Sequence, residues 1–231
     1  MKYNAILQEI NPEEVRRYAG LKNGADFPES IIQAACREMK ILAAPKGSWE
    51  IYPYDAKTQK LLSPTHYQLS GKDIGRHLAS CQEVAILAVT IGKAIEQEIH
   101  SHFKKNEYSA GLILDAAATT AVEIIADKLE EAIIIEAARK GLKTTSRYSP
   151  GYGNWAIQAQ PEILNLSGGR EIGIDVTASY ILTPRKSVTA VIGLENKETN
   201  QVTSNSCQRG CAYCLNQNCH FRKEPYHDQN I

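Results

Sequence analysis

Residues 110–141 read AGLILDAAATTAVEIIADKLEEAIIIEAARKG, and this stretch does most to decide the fold class. Its length and apolar spacing predict one helix of about 30 residues, with Gly141 suited to the position just after the last turn. The small residues at 116–121 would let a ligand or another backbone approach closely. Tight packing in the core explains the same residues equally well, so both interpretations stay open.

The segments before this helix alternate between helix and strand patterns. Residues 84–92, VAILAVTIG, form the continuous apolar run of a buried strand, and a helix follows from Gly92. Nearer the N-terminus, NPEEVRRYAG and SIIQAACREMKILAA are typical of helices, the second ended by Pro45. GSWEIYPYDA indicates an edge strand or an extended segment, because Pro53 cannot donate to a ladder.

The segments after Gly141 are richer in Thr and Val. IGIDVTASYILTP and SVTAVIGL predict two strands joined by a turn at residues 184–186. Helices first and strands mostly later indicate an α+β fold. We therefore expect residues 1–195 to form a single domain with a central, mainly antiparallel sheet flanked by helices. Residues 196–231 would be a polar linker and a small C-terminal cysteine-rich, metal-binding appendage.

The charge balance argues against a nucleic-acid partner. Lys plus Arg and Asp plus Glu each number 26, so the formal net charge is zero, whereas nucleic-acid binders usually carry a basic excess. We expect no membrane-spanning segment, because no apolar run approaches the roughly 20 residues that cross a bilayer. Residues 1–15 lack the pattern of a signal peptide. We expect a cytoplasmic protein with no nucleic-acid and no membrane partner.

Four of the six cysteines lie close together near the C-terminus. Cys207, Cys211 and Cys214 have the spacing that radical S-adenosylmethionine enzymes use, but only 17 residues follow Cys214, too few for the barrel of such an enzyme. With Cys219 they can close around one zinc ion or hold an iron–sulfur cluster. Chance clustering of unligated thiols is the alternative, although clustered cytoplasmic cysteines more often bind metal or do redox chemistry.

The loop RYSPGYGNW, residues 147–155, combines groups that suit a zwitterionic nucleoside ligand. Arg147 can clamp a carboxylate through two hydrogen bonds, and Gly151 permits close approach of the backbone. The rings of Tyr148 and Tyr152 can face a cation such as a sulfonium. S-adenosylmethionine would use all of these groups, but an ordinary structural turn can have the same composition.

Several ordered motifs resemble the reactivation domain of cobalamin-dependent methionine synthase. Arg-x-x-x-Gly-Tyr in RYSPGYG is similar to the signature of that family. VTIG resembles its Thr-x-Gly strand end, LDAAATTAVEIIADKLEEA its long small-residue helix, and TPRKSVTAVIGL its Pro-x-x-Ser-Val strand pair. The resemblance covers residues 80–195, and together the motifs are much more specific than any one of them.

The resemblance implies a binding site for S-adenosylmethionine in a shallow groove. It assigns Arg147 to the methionine carboxylate, and Ser149 and Gly151 to the groove lining. Tyr152 also lines the groove and takes the catalytic position, with its ring between the methyl donor and the corrinoid. Glu131 matches a helix glutamate that reaches the ligand, although a solvated helix acid would look the same. The family's N-terminal Asp-containing segment has no match here.

The implied activity is reductive remethylation of oxidised cob(II)alamin on a separate methionine synthase. The cobalamin would be carried by the cobalamin-binding module of that partner, and a flavodoxin or ferredoxin would supply the electron. The chain lacks the corrinoid motif Asp-x-His-x-x-Gly and cannot perform the synthase reaction alone, so we expect it to act as the reactivation subunit of a methyltransferase system. The alternative is a metal- or iron–sulfur-bearing electron-transfer accessory protein for another corrinoid methyltransferase.

Overall fold

The computed structural model describes residues 1–21 and 27–196. The helices are α1 (Pro12–Tyr18), α2 (Glu29–Leu42), α3 (Lys72–His77), α4 (Ala94–Lys104), α5 (Tyr108–Arg139) and α6 (Gln160–Leu166), with short 3₁₀ turns at Ile157–Ala159 and Gly169–Ile172. The strands are β1 (Lys2–Tyr3), β2 (Lys46–Asp55), β3 (Lys60–Leu61), β4 (Cys81–Thr90), β5 (Leu142–Thr144), β6 (Asp175–Val176), β7 (Leu182–Thr183) and β8 (Ser187–Asn196).

The main sheet is antiparallel and has β4 at its centre. Its order is β1-β2-β4-β8-β5, and β3 pairs with the end of β2. The long pairs β2–β4 and β4–β8 hold it together, with Thr90 opposite both Lys46 and Ser187. This arrangement confirms the prediction of an antiparallel sheet flanked by helices. Of the predicted linker and cysteine-rich appendage, residues 196–231, the structure describes only Asn196, as the last residue of β8; the four clustered cysteines lie outside the described residues.

The alternation of side chains along the central strands separates two layers of core. Ala85 and Leu87 of β4 pack into the apolar cluster formed with α1, α2, α4 and α5. Val84 and Ile86 point the other way, into a cluster with α3, α6 and Trp155. This is the period of two that an extended chain imposes. Tyr148 and Trp155 of the 147–155 loop therefore pack in the layer opposite α5.

Helix α5 confirms the predicted long helix and forms the centre of one layer. It is 32 residues long and is followed by Gly141 at φ +75°, the left-handed position expected after a helix. Most of the small residues at 116–121 are buried in the core, which favours the packing interpretation. By length and composition α5 could cross a bilayer, which the sequence prediction missed, but 61% of its apolar window is buried inside the fold.

The predicted extended segment at GSWEIYPYDA is confirmed as strand β2, but it is not the edge of the sheet, because β1 pairs with Gly47 and Ser48. The β1 pairing does not reach Pro53, so the proline lies where that side of β2 is not covered by β1. The prediction for the segment before β8 was wrong. IGIDVTASYILTP does not join the main sheet. It folds into the separate β6–β7 hairpin, where the Thr177 amide donates to the Ile181 carbonyl at 2.9 Å and Tyr180 takes a φ of +64°.

Candidate functional site

The start of the 147–155 loop is fixed to the edge of the main sheet. The amide of Tyr148 donates to the carbonyl of Val191, and the amide of Val191 donates back, both at 2.9 Å. Just before it, the amide of Thr145 donates to the carbonyl of Gly193 at 2.9 Å. The chain from β5 to Tyr148 thus continues along β8 as an extended segment. Consecutive side chains of this segment point to opposite faces of the sheet.

A tight turn follows this extended segment. The Tyr152 amide donates to the Ser149 carbonyl at 3.1 Å, and the Gly151 amide donates to the Trp155 carbonyl at 2.8 Å. Gly151 has φ +94° and Gly153 has φ +51°, conformations that favour glycine. A Cβ at Gly153 would lie 2.4 Å from an Asp73 carboxylate oxygen. The predicted turn is confirmed, and Gly153 is required by close contact with α3.

Helix α3 holds the turn through two hydrogen bonds between Asp73 and Asn154, which no local sequence pattern predicts. The Asn154 amide donates to the Asp73 carboxylate at 3.1 Å, and the Asn154 side chain accepts from the Asp73 amide at 3.0 Å. The two residues are 81 positions apart. Both bonds cross the same interface and tie the loop to α3.

Aromatic rings connect the buried part of the turn with its exposed part. The ring of Tyr148 lies 4.9 Å from the His77 ring, 6.2 Å from the Trp155 ring and 5.7 Å from the Tyr152 ring. Trp155 is 2% exposed, whereas Tyr152 is 55% exposed. Tyr152 therefore presents its ring at the surface while resting edge-on against a packed ring.

His77 lies beneath this group of rings as a neutral side chain. Burial lowers the pKa of His77, although its hydrogen bond to the Ser146 carbonyl acts in the opposite direction. The Nε2–Ser146 distance is 2.9 Å. A carbonyl can only accept, so Nε2 carries the proton. His77 thereby holds the backbone next to Arg147.

Arg147 points away from these rings, toward α5. Its guanidinium lies 2.8 Å from Glu130 and 3.5 Å from Glu123, and it also pairs with Asp127. The three acids are spaced four and three residues apart, so they share one helix face. The side chain of Arg147 is 19% exposed. With one cation and three acids, the cluster has a formal charge of −2.

Glu130 is the most deeply placed of these acids. Burial raises its pKa, and the neighbouring charge of Asp127 adds to this, although Arg147 lowers it. Glu131, which the resemblance assigns to the ligand, is exposed on α5. The spacing of residues 123, 127 and 130 was the available signal, but only the position of α5 beside the sheet edge shows that Arg147 meets them.

The structure brings the other predicted groove residues together as one turn. Ser149 is half-buried and Gly151 is exposed at the surface. The side chain of Arg147 and the ring of Tyr152 lie on different sides of the segment that joins them, since Tyr152 packs on Tyr148 and Arg147 on α5. A ligand that touched both would have to cross the backbone at Ser149 and Gly151. The predicted metal ligands Cys207, Cys211, Cys214 and Cys219 lie outside the described residues.

Two further motifs of the resemblance meet at the other end of β8. The Thr90 hydroxyl accepts from the Gly92 amide at 3.1 Å and from the Ser187 hydroxyl at 2.9 Å. Thr90 is 2% exposed. These residues join the end of β4 to the start of β8, so the Thr-x-Gly and Pro-x-x-Ser-Val motifs have a structural role here.

Comparison with known proteins supports the fold. No protein-family model matches the sequence, and no curated protein matches it either. Among solved structures, the chain is similar to the MetH reactivation domain bound to AdoHcy, with a TM-score of 0.59 and 13% sequence identity. The match covers 90% of this chain and 82% of the other. At this identity the similarity is one of fold.

Proposed function

We propose that this protein binds S-adenosylmethionine beside the 147–155 loop and supports reductive remethylation of cob(II)alamin on a separate methionine synthase. The observation that carries the proposal is Arg147 within an acidic cluster on α5, next to a glycine-containing turn. It occurs in a fold shared with a reactivation domain that was solved with AdoHcy.

The charges at the site fit S-adenosylmethionine. This ligand has one carboxylate, one ammonium group and one sulfonium, hence a net charge of +1. Its carboxylate can pair with Arg147 through the two-pronged geometry that guanidinium favours. The acids that Arg147 now neutralises, Glu123 and Asp127 among them, would then meet the ligand's ammonium group. A cluster of net charge −2 thus accepts a zwitterion with an additional positive charge.

The other residues would shape the groove. Ser149 and Gly151 would offer backbone groups at the crossing point of the turn, and Glu131 would reach the ligand from the exposed side of α5. Tyr152 would stand at the outer end, where its exposed ring can separate the methyl donor from the approaching corrinoid. The exposed Ile157 lies beside Gly151 and extends this surface toward a partner.

The chemistry of the proposal requires positioning more than acid–base catalysis. The methyl group leaves the sulfonium as its electron pair returns to sulfur, and it is accepted by cobalt that one electron has reduced. Removing the reduced cobalamin as it forms draws the unfavourable reduction forward. The protein's task is to hold donor and acceptor in line, which Arg147 and Tyr152 do from the two ends of the groove. A flavodoxin or ferredoxin would supply the electron in the cytoplasm.

The C-terminal cysteines are proposed to hold zinc or an iron–sulfur cluster. The spacing of Cys207, Cys211, Cys214 and Cys219 is the observation behind this part. An iron–sulfur cluster would favour the second candidate function, an electron-transfer accessory protein. The visible spectrum of anaerobically purified full-length protein separates the two. A band bleached by dithionite indicates a cluster, and colourless protein with one zinc per chain indicates a structural site.

The activity itself is tested by forming methylcobalamin. Full-length protein is mixed with a methionine synthase fragment that carries cob(II)alamin but lacks its own reactivation domain, together with a chemical reductant and methyl-labelled S-adenosylmethionine. Label should appear in methylcobalamin only when this protein is present. Equal rates with and without the protein would overturn the proposal.

A further inference from the structure

A second cluster of polar groups lies between α2 and α4, and its residues belong to none of the sequence motifs described above. Glu98 and His102 are one helical turn apart on α4, and Glu38 faces them from α2. Their ligand atoms all lie within 4.8 Å of one another. The His102 side chain is only 15% exposed, and the two carboxylates are about one-third exposed.

The distances in this cluster are close to those of a metal coordination sphere. Nε2 of His102 lies 3.4 Å from Glu38 Oε2 and 4.0 Å from Glu98 Oε1. Ligands bound to zinc at about 2.0–2.1 Å in tetrahedral geometry lie about 3.3–3.4 Å apart. The His102–Glu38 pair already has this separation, and a small rotation of the Glu98 side chain would bring the His102–Glu98 pair to it.

A third carboxylate orients the imidazole. Glu107, which precedes α5, lies 2.7 Å from Nδ1 of His102. A carboxylate accepts from Nδ1–H, so the neutral ring presents the lone pair of Nε2 to Glu38 and Glu98. Metal-ligating histidines are commonly held this way by a carboxylate on the other ring nitrogen.

The charge balance of the cluster also favours a cation. Within residues 1–21 and 27–196, His102 is the only ion-pair partner of Glu38, Glu98 and Glu107. Three carboxylates around one imidazole therefore create a field that a divalent ion would neutralise better than a single proton.

We propose that Glu38, Glu98 and His102 bind one divalent transition-metal ion, best matched by Zn(II), with Glu107 as the positioning residue. Three protein ligands leave a fourth position for water. The bound ion would tie α2 to α4 and to the start of α5. The proposal shares no residue with the 147–155 loop and does not depend on the function proposed for it.

The test uses Co(II) as a spectroscopic substitute for Zn(II) in the full-length protein. The C-terminal thiolates can also bind Co(II), but thiolate ligation gives strong near-ultraviolet charge-transfer bands that imidazole and carboxylate ligands lack. We expect one equivalent of Co(II) to bind without those bands. His102→Ala should abolish this equivalent and leave any thiolate bands unchanged. His100→Ala, an exposed histidine on the same helix, is the matched control and should bind as the wild type does.

Two further variants keep the test decisive. Glu107→Gln should retain the equivalent but weaken Co(II) affinity about 10- to 100-fold, as for other residues that orient a ligand. Glu98→Gln keeps the pairing of His102 with Glu107 and replaces His102→Ala if that variant does not fold. The proposal is overturned if wild type binds no Co(II) outside the thiolate bands, or if His102→Ala or Glu98→Gln binds as much as the wild type.

Discussion

The buried and the exposed parts of the 147–155 loop differ sharply although they belong to one motif. Tyr148 is paired with β8 through its backbone and stacks near Trp155, which is 2% exposed. Tyr152, four residues after Tyr148, is 55% exposed and touches the packed group at its edge. Residues that hold the loop and residues that we propose to face a ligand therefore alternate along the sequence. Substitutions should therefore separate stability from function.

The largest effect is expected from Trp155→Ala in the buried part. Removing a fully buried tryptophan should lower the free energy of unfolding by about 3–5 kcal/mol, measured by urea denaturation. Tyr152→Ala serves as the comparison and should cost less than about 1.5 kcal/mol, because it loses mainly an edge-on ring contact. Equal losses for the two variants would erase the distinction between the two parts.

Tyr152→Ala should have its main effect on methyl transfer. If the ring aligns donor and acceptor, a misplacement near 1 Å slows methylcobalamin formation about 100-fold, while affinity for S-adenosylmethionine stays within a few-fold. Both quantities are measured on the same preparation. Parallel losses in binding and transfer would instead show that Tyr152 packs the turn, and normal transfer would remove it from the site.

A smaller effect is expected from the titration of His77. Its folded-state pKa lies below the ordinary value of 6.5 because the ring is buried, so between these values the unfolded chain binds more protons. The free energy of unfolding should therefore fall as pH drops below 6.5 through the folded-state pKa, by up to about 1.4 kcal/mol per pH unit.

Denaturation measured from pH 7.5 to pH 5 checks this prediction. His77→Gln should remove this part of the slope, and His66→Gln, an exposed histidine, should not. A slope that is unchanged in His77→Gln would place the pH dependence elsewhere.

The sequence predicted the elements that long local patterns encode. The apolar run of β4 and the length of α5 required no knowledge of neighbours, and the turn of the loop followed from its proline and glycines. The position of β2 inside the sheet depends on the pairing of β1, which two residues supply. The β6–β7 hairpin depends on a turn around Thr177 that divides a strand-like stretch.

Less of the candidate site could be predicted from the sequence, because its contacts join residues that are far apart along the chain. Arg147 and the turn residues could be selected by type and spacing, but nothing local links Asp73 with Asn154. The acids that meet Arg147 are determined by where α5 passes the sheet edge, which no local pattern in the sequence shows. The cluster around His102 joins α2 and α4 in the same way.

The central claim is that S-adenosylmethionine binds between Arg147 and the acids of α5, and calorimetric titration of the full-length protein tests it most directly. Wild type should bind the ligand, and Arg147→Ala should bind about 10- to 150-fold more weakly, the loss of a charge-assisted pair worth about 1.5–3 kcal/mol. Arg139→Ala is the matched control, because Arg139 is the last residue of α5 and its side chain is 74% exposed, whereas that of Arg147 is 19% exposed. The Arg139→Ala variant should bind S-adenosylmethionine with the affinity of the wild type. Equal affinity for Arg147→Ala and wild type, or no binding by wild type, would contradict the account.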